Sequence, residues 1–155
     1  AVFEEVGPDA PAWTWHGEND VAFWIRRMAQ ETAVHCWDAE NAIGSPTEID
    51  AELAADGIDE FVDKFIALDE IAYEGPSGTV HLHCEDTEDR WTVSLDPGKV
   101  PTFGRGPADA DAVVRAPAHN LLLWIWRRLG SSSVEVSGAP ALADAFWYYA
   151  EGPGQ

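Results

Sequence analysis

Cysteine is scarce in this sequence, which has only Cys36 and Cys84 among its 155 residues. Two cysteines far apart along a chain form neither a disulfide framework nor the paired spacing of a zinc ribbon. No run of about 18 apolar residues is present, so we expect no membrane-spanning helix and no membrane partner. We also expect no signal peptide at the start of the chain. A protein of the reducing cytoplasm fits these features best.

Basic residues are also few, with 9 Lys and Arg against 28 Asp and Glu, and the formal net charge is -19 at pH 7. Such a charge repels nucleic-acid phosphates and anionic lipid surfaces, so we expect no nucleic-acid partner. The acids are spread along the chain, which is typical of a solvated surface. A hydrophobic fraction of 46% and eight Trp residues are enough for a packed core.

The first half of the chain has a helical pattern. Residues 1–19 are rich in Pro, Gly and Trp and predict a loop. A helix is predicted over 21–41, with Asn19 or Asp20 as its N-cap. A second helix is predicted over 47–71, with Thr47 as its N-cap and an apolar face.

The second half changes to a mixed pattern of strands and helices. Two β-rich runs around a polar loop predict a hairpin, and two more strands alternate with two helices. The predicted elements are strands over 79–84, 90–95, 110–115 and 134–136, and helices over 117–129 and 140–149. The fold class predicted is therefore α+β, with a helical domain over 1–72 and a small α+β domain over 73–155.

One face of the first predicted helix carries Glu31 and His35. On a helix that turns about 100° per residue, Met28, Glu31, His35 and Asp38 all lie within about 40° of Trp24. We therefore expect this face to be turned toward a core, where charge must be paired or bound to a metal. The spacing of four residues places the carboxylate and the imidazole on neighbouring turns.

Two interpretations of the Glu31–His35 pair remain open from spacing alone. The pair is either a structural contact in a helix interface or two ligands of one divalent metal. A catalytic zinc takes three protein ligands, and two His with one Glu form a known set. The third ligand would have to come from another helix, and His16 is the only nearby substitute within this sequence.

The run RRMAQETAVHCWDAE at 26–40 and the run DGIDE at 56–60 resemble the mycothiol-dependent maleylpyruvate isomerase family. The second half is similar as well, in HLH at 81–83, LLLWIWRR at 121–128 and VEVSG at 134–138. Proteins of that family join a DinB-like metal-binding four-helix bundle to a small domain similar to sterol carrier protein. The resemblance therefore implies part of a DinB-like bundle followed by a sterol-carrier-like α+β domain.

By this resemblance, Glu31 and His35 are two of three metal ligands, and zinc is the metal that we expect. The family's third ligand is a His on an earlier bundle helix, which would precede residue 1. The sequence therefore looks like the C-terminal part of a longer protein. Either the missing N-terminal helices or a partner chain should complete the bundle, because a single bundle helix cannot bury its own apolar face.

The resemblance also implies an enzyme that uses mycothiol as its thiol cofactor. A metal-bound thiolate would add to a small unsaturated acid such as maleylpyruvate, which gives an isomerase, or to another electrophile, which gives an S-transferase. The family's usual Gly-Arg pair falls on Arg127 and Arg128, so Arg128 is the predicted clamp on a substrate carboxylate. Its alternative role is to complement the dipole at a helix C-terminus.

A second hypothesis makes the protein a non-catalytic carrier of a hydrophobic ligand. The apolar helix around residues 121–126 would then line a cavity in the small domain. A carrier should show a continuous apolar tunnel there and no metal at the helix. His81 and His83 alternate on a predicted strand and share one face, which predicts a polar sheet face, a domain contact or a pair of metal ligands.

Overall fold

The chain consists of two compact units, Ala1–Ile49 and Asp50–Gln155, which are described separately. The computed structural model describes residues 5–66 and 72–150. The units divide earlier in the chain than the domain boundary predicted at 72 and 73, which stays a prediction. Within the described residues, no helix is long and apolar enough to cross a membrane.

The first unit is built on helix α1, Val21–Ala42. Its N-cap is Asp20, whose carboxylate accepts a hydrogen bond from the Phe23 amide at 2.9 Å. The helix ends before Gly44, which has a φ of 74°, a conformation that glycine adopts without steric cost. The predicted helix over 21–41, and Asp20 as one of its two predicted caps, are therefore confirmed.

The buried face of α1 differs from the predicted one. Its buried side chains centre on Phe23, Val34 and Trp37, about 100° around the helix from the face that carries Glu31 and His35. The prediction that the Glu31–His35 face is turned toward a core is wrong for the described chain, in which Met28 is 43% exposed. The helix carries two apolar stripes, one along Trp24 and Met28 and the other along Phe23, Val34 and Trp37. The sequence pattern gave no reason to expect that the latter stripe is the buried one.

The second unit begins with helix α2, Ala51–Glu60, which continues as a π-helical turn, Phe61–Phe65. Asp50 caps α2, because its carboxylate accepts from the amides of Glu52 and Leu53. The prediction of Thr47 as the cap is wrong, since the Thr47 amide donates to the Glu40 carboxylate at 2.8 Å. The last part of the predicted helix over 47–71 lies outside the described residues.

A five-stranded sheet with the order β3-β2-β1-β4-β5 forms the centre of the second unit. Strands β1 and β2 form the predicted antiparallel hairpin, and β4 runs parallel to β1. The predicted strands over 110–115 and 134–136 correspond to β4 and β5. The sequence pattern missed the edge strand β3, which is only four residues long and contains Gly104. The strands are Gly78–Cys84 (β1), Arg90–Leu95 (β2), Thr102–Arg105 (β3), Ala112–Ala116 (β4) and Glu135–Gly138 (β5).

Two further helices complete the second unit, α3, Ala118–Ile125, and α4, Pro140–Tyr149. Helix α3 packs against α2, and α4 lies against β1 and β4. The core is made by the apolar side chains of these helices and of alternate strand residues, which are almost fully excluded from solvent, as for Phe61, Val80, Leu82, Leu122 and Phe146. Helices packed on a mixed sheet confirm the predicted α+β class.

Candidate functional site

Helix α1 brings Glu31 and His35 together on one face, as their spacing predicts. Glu31 Oε2 lies 3.0 Å from His35 Nε2. Both side chains reach solvent, with exposed fractions of 40% for Glu31 and 63% for His35. The carboxylate oxygen and the ring nitrogen therefore converge on one accessible point beside the helix.

Two more side chains of α1 contact this pair. The Arg27 guanidinium donates from Nη2 to Glu31 Oε1 at 2.5 Å, and the Arg27 side chain is buried. On the other side, His35 Nδ1 lies 3.1 Å from Asp38 Oδ2. Spacings of three and four residues place these groups in one continuous row along the helix surface. Arg27 and Asp38 were not assigned site roles from the sequence, although the same spacing rule applies to both.

The donor set of the pair fits a divalent metal. Two ligands of a tetrahedral zinc, each about 2.1 Å from the ion, are separated by about 3.4 Å. The observed separation of 3.0 Å between Glu31 Oε2 and His35 Nε2 is close to that value. Over the described ranges 5–66 and 72–150, no group of three or more His, Cys, Asp and Glu side chains could hold a metal. His16 therefore does not complete the set.

Arg128 follows the C-terminus of α3 in the second unit. The Arg127 amide donates to Trp124 O at 3.0 Å, and the Arg128 amide donates to Leu123 O at 2.8 Å. These two bonds form a Schellman motif, in which the residue after the cap adopts a left-handed conformation. Arg127 occupies that position with a φ of 62°. Glycine, which the family resemblance implies at this position, adopts that conformation without steric cost.

The side chains of the two arginines have different contacts. Arg127 Cζ lies 4.1 Å above the Trp147 ring, and its guanidinium also donates to Trp147 O. Arg128 Nη1 donates to Trp126 O at 2.8 Å. The proposed carboxylate clamp at Arg128 stays a prediction.

His81 and His83 share one face of β1 and are both buried, which confirms that their side chains point the same way. His81 Nδ1 lies 2.8 Å from Thr92 Oγ1. The Arg115 guanidinium donates from Nε to His83 Nδ1 at 3.1 Å. Burial, His83 and the nearby arginines lower the pKa of His81, since each disfavours the imidazolium. The two rings belong to the hydrogen-bonded polar face of the sheet.

A polar cleft of about 430 Å³ lies between α2 and the β1–β2 turn. Asp59 lies on one side of the cleft, where its carboxylate accepts hydrogen bonds from Trp91 Nε1 at 2.9 Å and from Arg105 Nη2 at 3.0 Å. Sequence reasoning missed this cluster, whose members are far apart along the chain. Its lining includes Glu52, Asp56 and Glu88, so it is a charged cleft rather than an apolar tunnel.

The two cysteines differ in their surroundings. Cys36 is exposed on α1 and Cys84 is buried at the end of β1. Burial raises the pKa of the Cys84 thiol to about 12. Cys84 is therefore a structural side chain and not a nucleophile.

A helix with an exposed Glu–His pair, followed by a small α+β unit, defines a two-part protein of the α+β class. A family model described as the MDMPI C-terminal domain matches residues 52–145, and one described as the mycothiol maleylpyruvate isomerase N-terminal domain matches residues 1–40. The chain belongs to the mycothiol-dependent maleylpyruvate isomerase family, which confirms the resemblance. A search of the curated proteins gives no match.

Solved structures similar to the chain include carrier proteins and a sulfatase. Sterol Carrier Protein 2 Like 2 from Aedes aegypti is 18% identical, with a TM-score of 0.46 over 63% of this chain and 96% of that one. A sec-alkylsulfatase from Pseudomonas sp. is 23% identical, with a TM-score of 0.39, and the match covers 45% of this chain and 12% of that chain. The TM-scores are low, so these likenesses carry no functional argument.

Proposed function

We propose that this chain provides part of a divalent-metal site in an enzyme that uses mycothiol. The observation that carries the proposal is the convergence of Glu31 Oε2 and His35 Nε2 at 3.0 Å. Both lie within the residues matched by the family's N-terminal domain. The structural alternative is a plain ion pair between the two side chains.

Glu31 and His35 would hold the metal, with zinc as the expected ion and a third ligand from elsewhere in the full-length protein. When bound, such an ion lowers the pKa of a coordinated thiol so far that the thiol is deprotonated at neutral pH. The protein's own part is to fix the two ligand atoms on a rigid helix and to leave their open side accessible. The exposed apolar residues Ile25 and Met28 on the same helix would then be covered by further helices or by a partner chain.

The proposed substrate is a small unsaturated acid such as maleylpyruvate, which makes the reaction an isomerisation. Its carboxylate would be bound by Arg128, whose planar fork suits two parallel hydrogen bonds. An S-transferase that acts on other electrophiles is the related alternative. Assays with mycothiol and each substrate type distinguish the two, because only the isomerase regenerates the free thiol after each turnover.

The metal site is tested by metal analysis of the full-length protein. Purified wild type should contain zinc, while Glu31→Gln and His35→Ala should each lose most of it, because a two-ligand remnant binds weakly. His119→Ala serves as the control, since it removes an imidazole from the second unit. Equal zinc content in wild type and His35→Ala would show that the pair is structural.

The hydrophobic-carrier hypothesis remains the second candidate from the sequence. It requires a continuous apolar tunnel in the second unit, and the cleft described there is lined largely by charged side chains. It stays a prediction.

A further inference from the structure

The two ring nitrogens of His35 each face a different carboxylate. Nε2 lies 3.0 Å from Glu31 Oε2, and Nδ1 lies 3.1 Å from Asp38 Oδ2. A neutral imidazole carries one N–H and one lone pair, whereas an ionised carboxylate only accepts hydrogen bonds. A neutral His35 can therefore donate to only one of the two acids. Its lone pair then faces the other acid, so that those two atoms can share a bound cation.

The contacts of Glu31 indicate which carboxylate faces the lone pair. Glu31 Oε1 is already held by Arg27 at 2.5 Å, which turns Oε2 toward His35 Nε2. Asp38 Oδ2 lies at the far edge of the ring, so it is on the opposite side from the point where Oε2 and Nε2 converge. Only the arrangement with the proton on Nδ1 and the lone pair on Nε2 directs two donor atoms, Oε2 and Nε2, to one point.

We propose that Asp38 is a positioning residue that accepts the Nδ1–H of His35 and so presents the Nε2 lone pair beside Glu31 Oε2 for a divalent cation. This inference rests on the proposed function. A carboxylate on the second nitrogen fixes both the tautomer and the rotation of a metal-binding imidazole. Here the same helix supplies the acid, one turn after the ligand, so the support does not depend on any other element.

The tautomer is measured by long-range ¹H–¹⁵N NMR of the His35 ring, at a pH at which the ring is neutral. Wild type should carry its proton on Nδ1. In Asp38→Asn the side-chain amide can donate to Nδ1, which should move the proton to Nε2, where Glu31 accepts it. Asp38→Glu keeps a carboxylate within reach and should retain the wild-type tautomer. The same tautomer in wild type and Asp38→Asn would overturn the inference.

Zinc affinity of the full-length protein, measured by competition with a chromophoric chelator, provides the second readout. Asp38→Asn should bind Zn²⁺ about 10- to 100-fold more weakly than wild type. Glu48→Gln removes a charge from an exposed residue of the same unit and should bind as wild type does. If His35→Ala loses zinc and Asp38→Asn binds normally, the positioning role falls and the proposed function stands. If His35→Ala binds as wild type does, both fall.

Discussion

Arg127 offers a direct test of how the end of α3 is built. It is a non-glycine residue in the left-handed region, with a φ of 62°, which costs about 1–2 kcal/mol for a residue that has a Cβ. Its guanidinium offsets this by stacking 4.1 Å from the Trp147 ring, a contact that contributes about 0.5–2 kcal/mol. Substitution by Ala and by Gly separates the two effects, because both remove the stacking and only Gly removes the strain.

Arg127→Ala should lower the free energy of unfolding by about 1–3 kcal/mol, since it loses the stacking and the hydrogen bond to Trp147 O while the strain remains. Arg127→Gly loses the same contacts and should be more stable than Arg127→Ala by about 1 kcal/mol. Urea denaturation followed by circular dichroism measures both values.

Arg128 is the matched control because it is the next residue and has no positive φ. At that position Gly should be less stable than Ala by about 0.5–1 kcal/mol, since glycine there only adds freedom to the unfolded chain. The sign of the Ala–Gly difference should therefore reverse between the two neighbouring arginines. Equal stability of Arg127→Ala and Arg127→Gly would refute the assignment of strain to residue 127.

Two further predictions concern titratable groups. At pH 8 iodoacetamide should alkylate Cys36 and not Cys84, because a thiol with a pKa of about 12 is only about one part in ten thousand thiolate. Peptide mass spectrometry of the labelled, folded protein measures the alkylation of each cysteine. Rapid labelling of Cys84 would contradict its burial. The pKa of His81 is lowered in the folded protein, so on acidification the unfolded chain binds a proton at this residue before the folded protein does. The free energy of unfolding should therefore fall as the pH decreases from about 6.5 toward the lowered pKa. Urea midpoints across this range should fall less in His81→Asn than in wild type, and equal slopes would exclude His81 as the cause.

Much of the local structure could be predicted because its signals are local. The cap at Asp20, the length of α1 and the β1–β2 hairpin follow from residues close together along the chain. The start of the second helix was predicted at Thr47 instead of Asp50, because both residue types are good N-caps. Thr47 bonds instead to Glu40, seven residues earlier, and no local preference indicates that choice.

The candidate site also has features that the sequence predicts and features that it does not. The pairing of Glu31 with His35 follows from a spacing of four on a helix and needs no other element. The exposure of that pair was mispredicted because two apolar stripes compete on α1. Identifying the pair as metal ligands required family resemblance, since helical spacing is equally consistent with a structural ion pair.

The sequence by itself determined most of the helices and strands, the α+β class and the row of side chains from Arg27 to Asp38, because helix and strand periodicity place neighbours a few residues apart. Only the tertiary structure decided which stripe of α1 is buried, that β4 lies beside β1, and that Asp59 meets Trp91 and Arg105. These features depend on contacts between residues distant along the chain. Their energies arise only when the whole unit packs, so no local pattern encodes them.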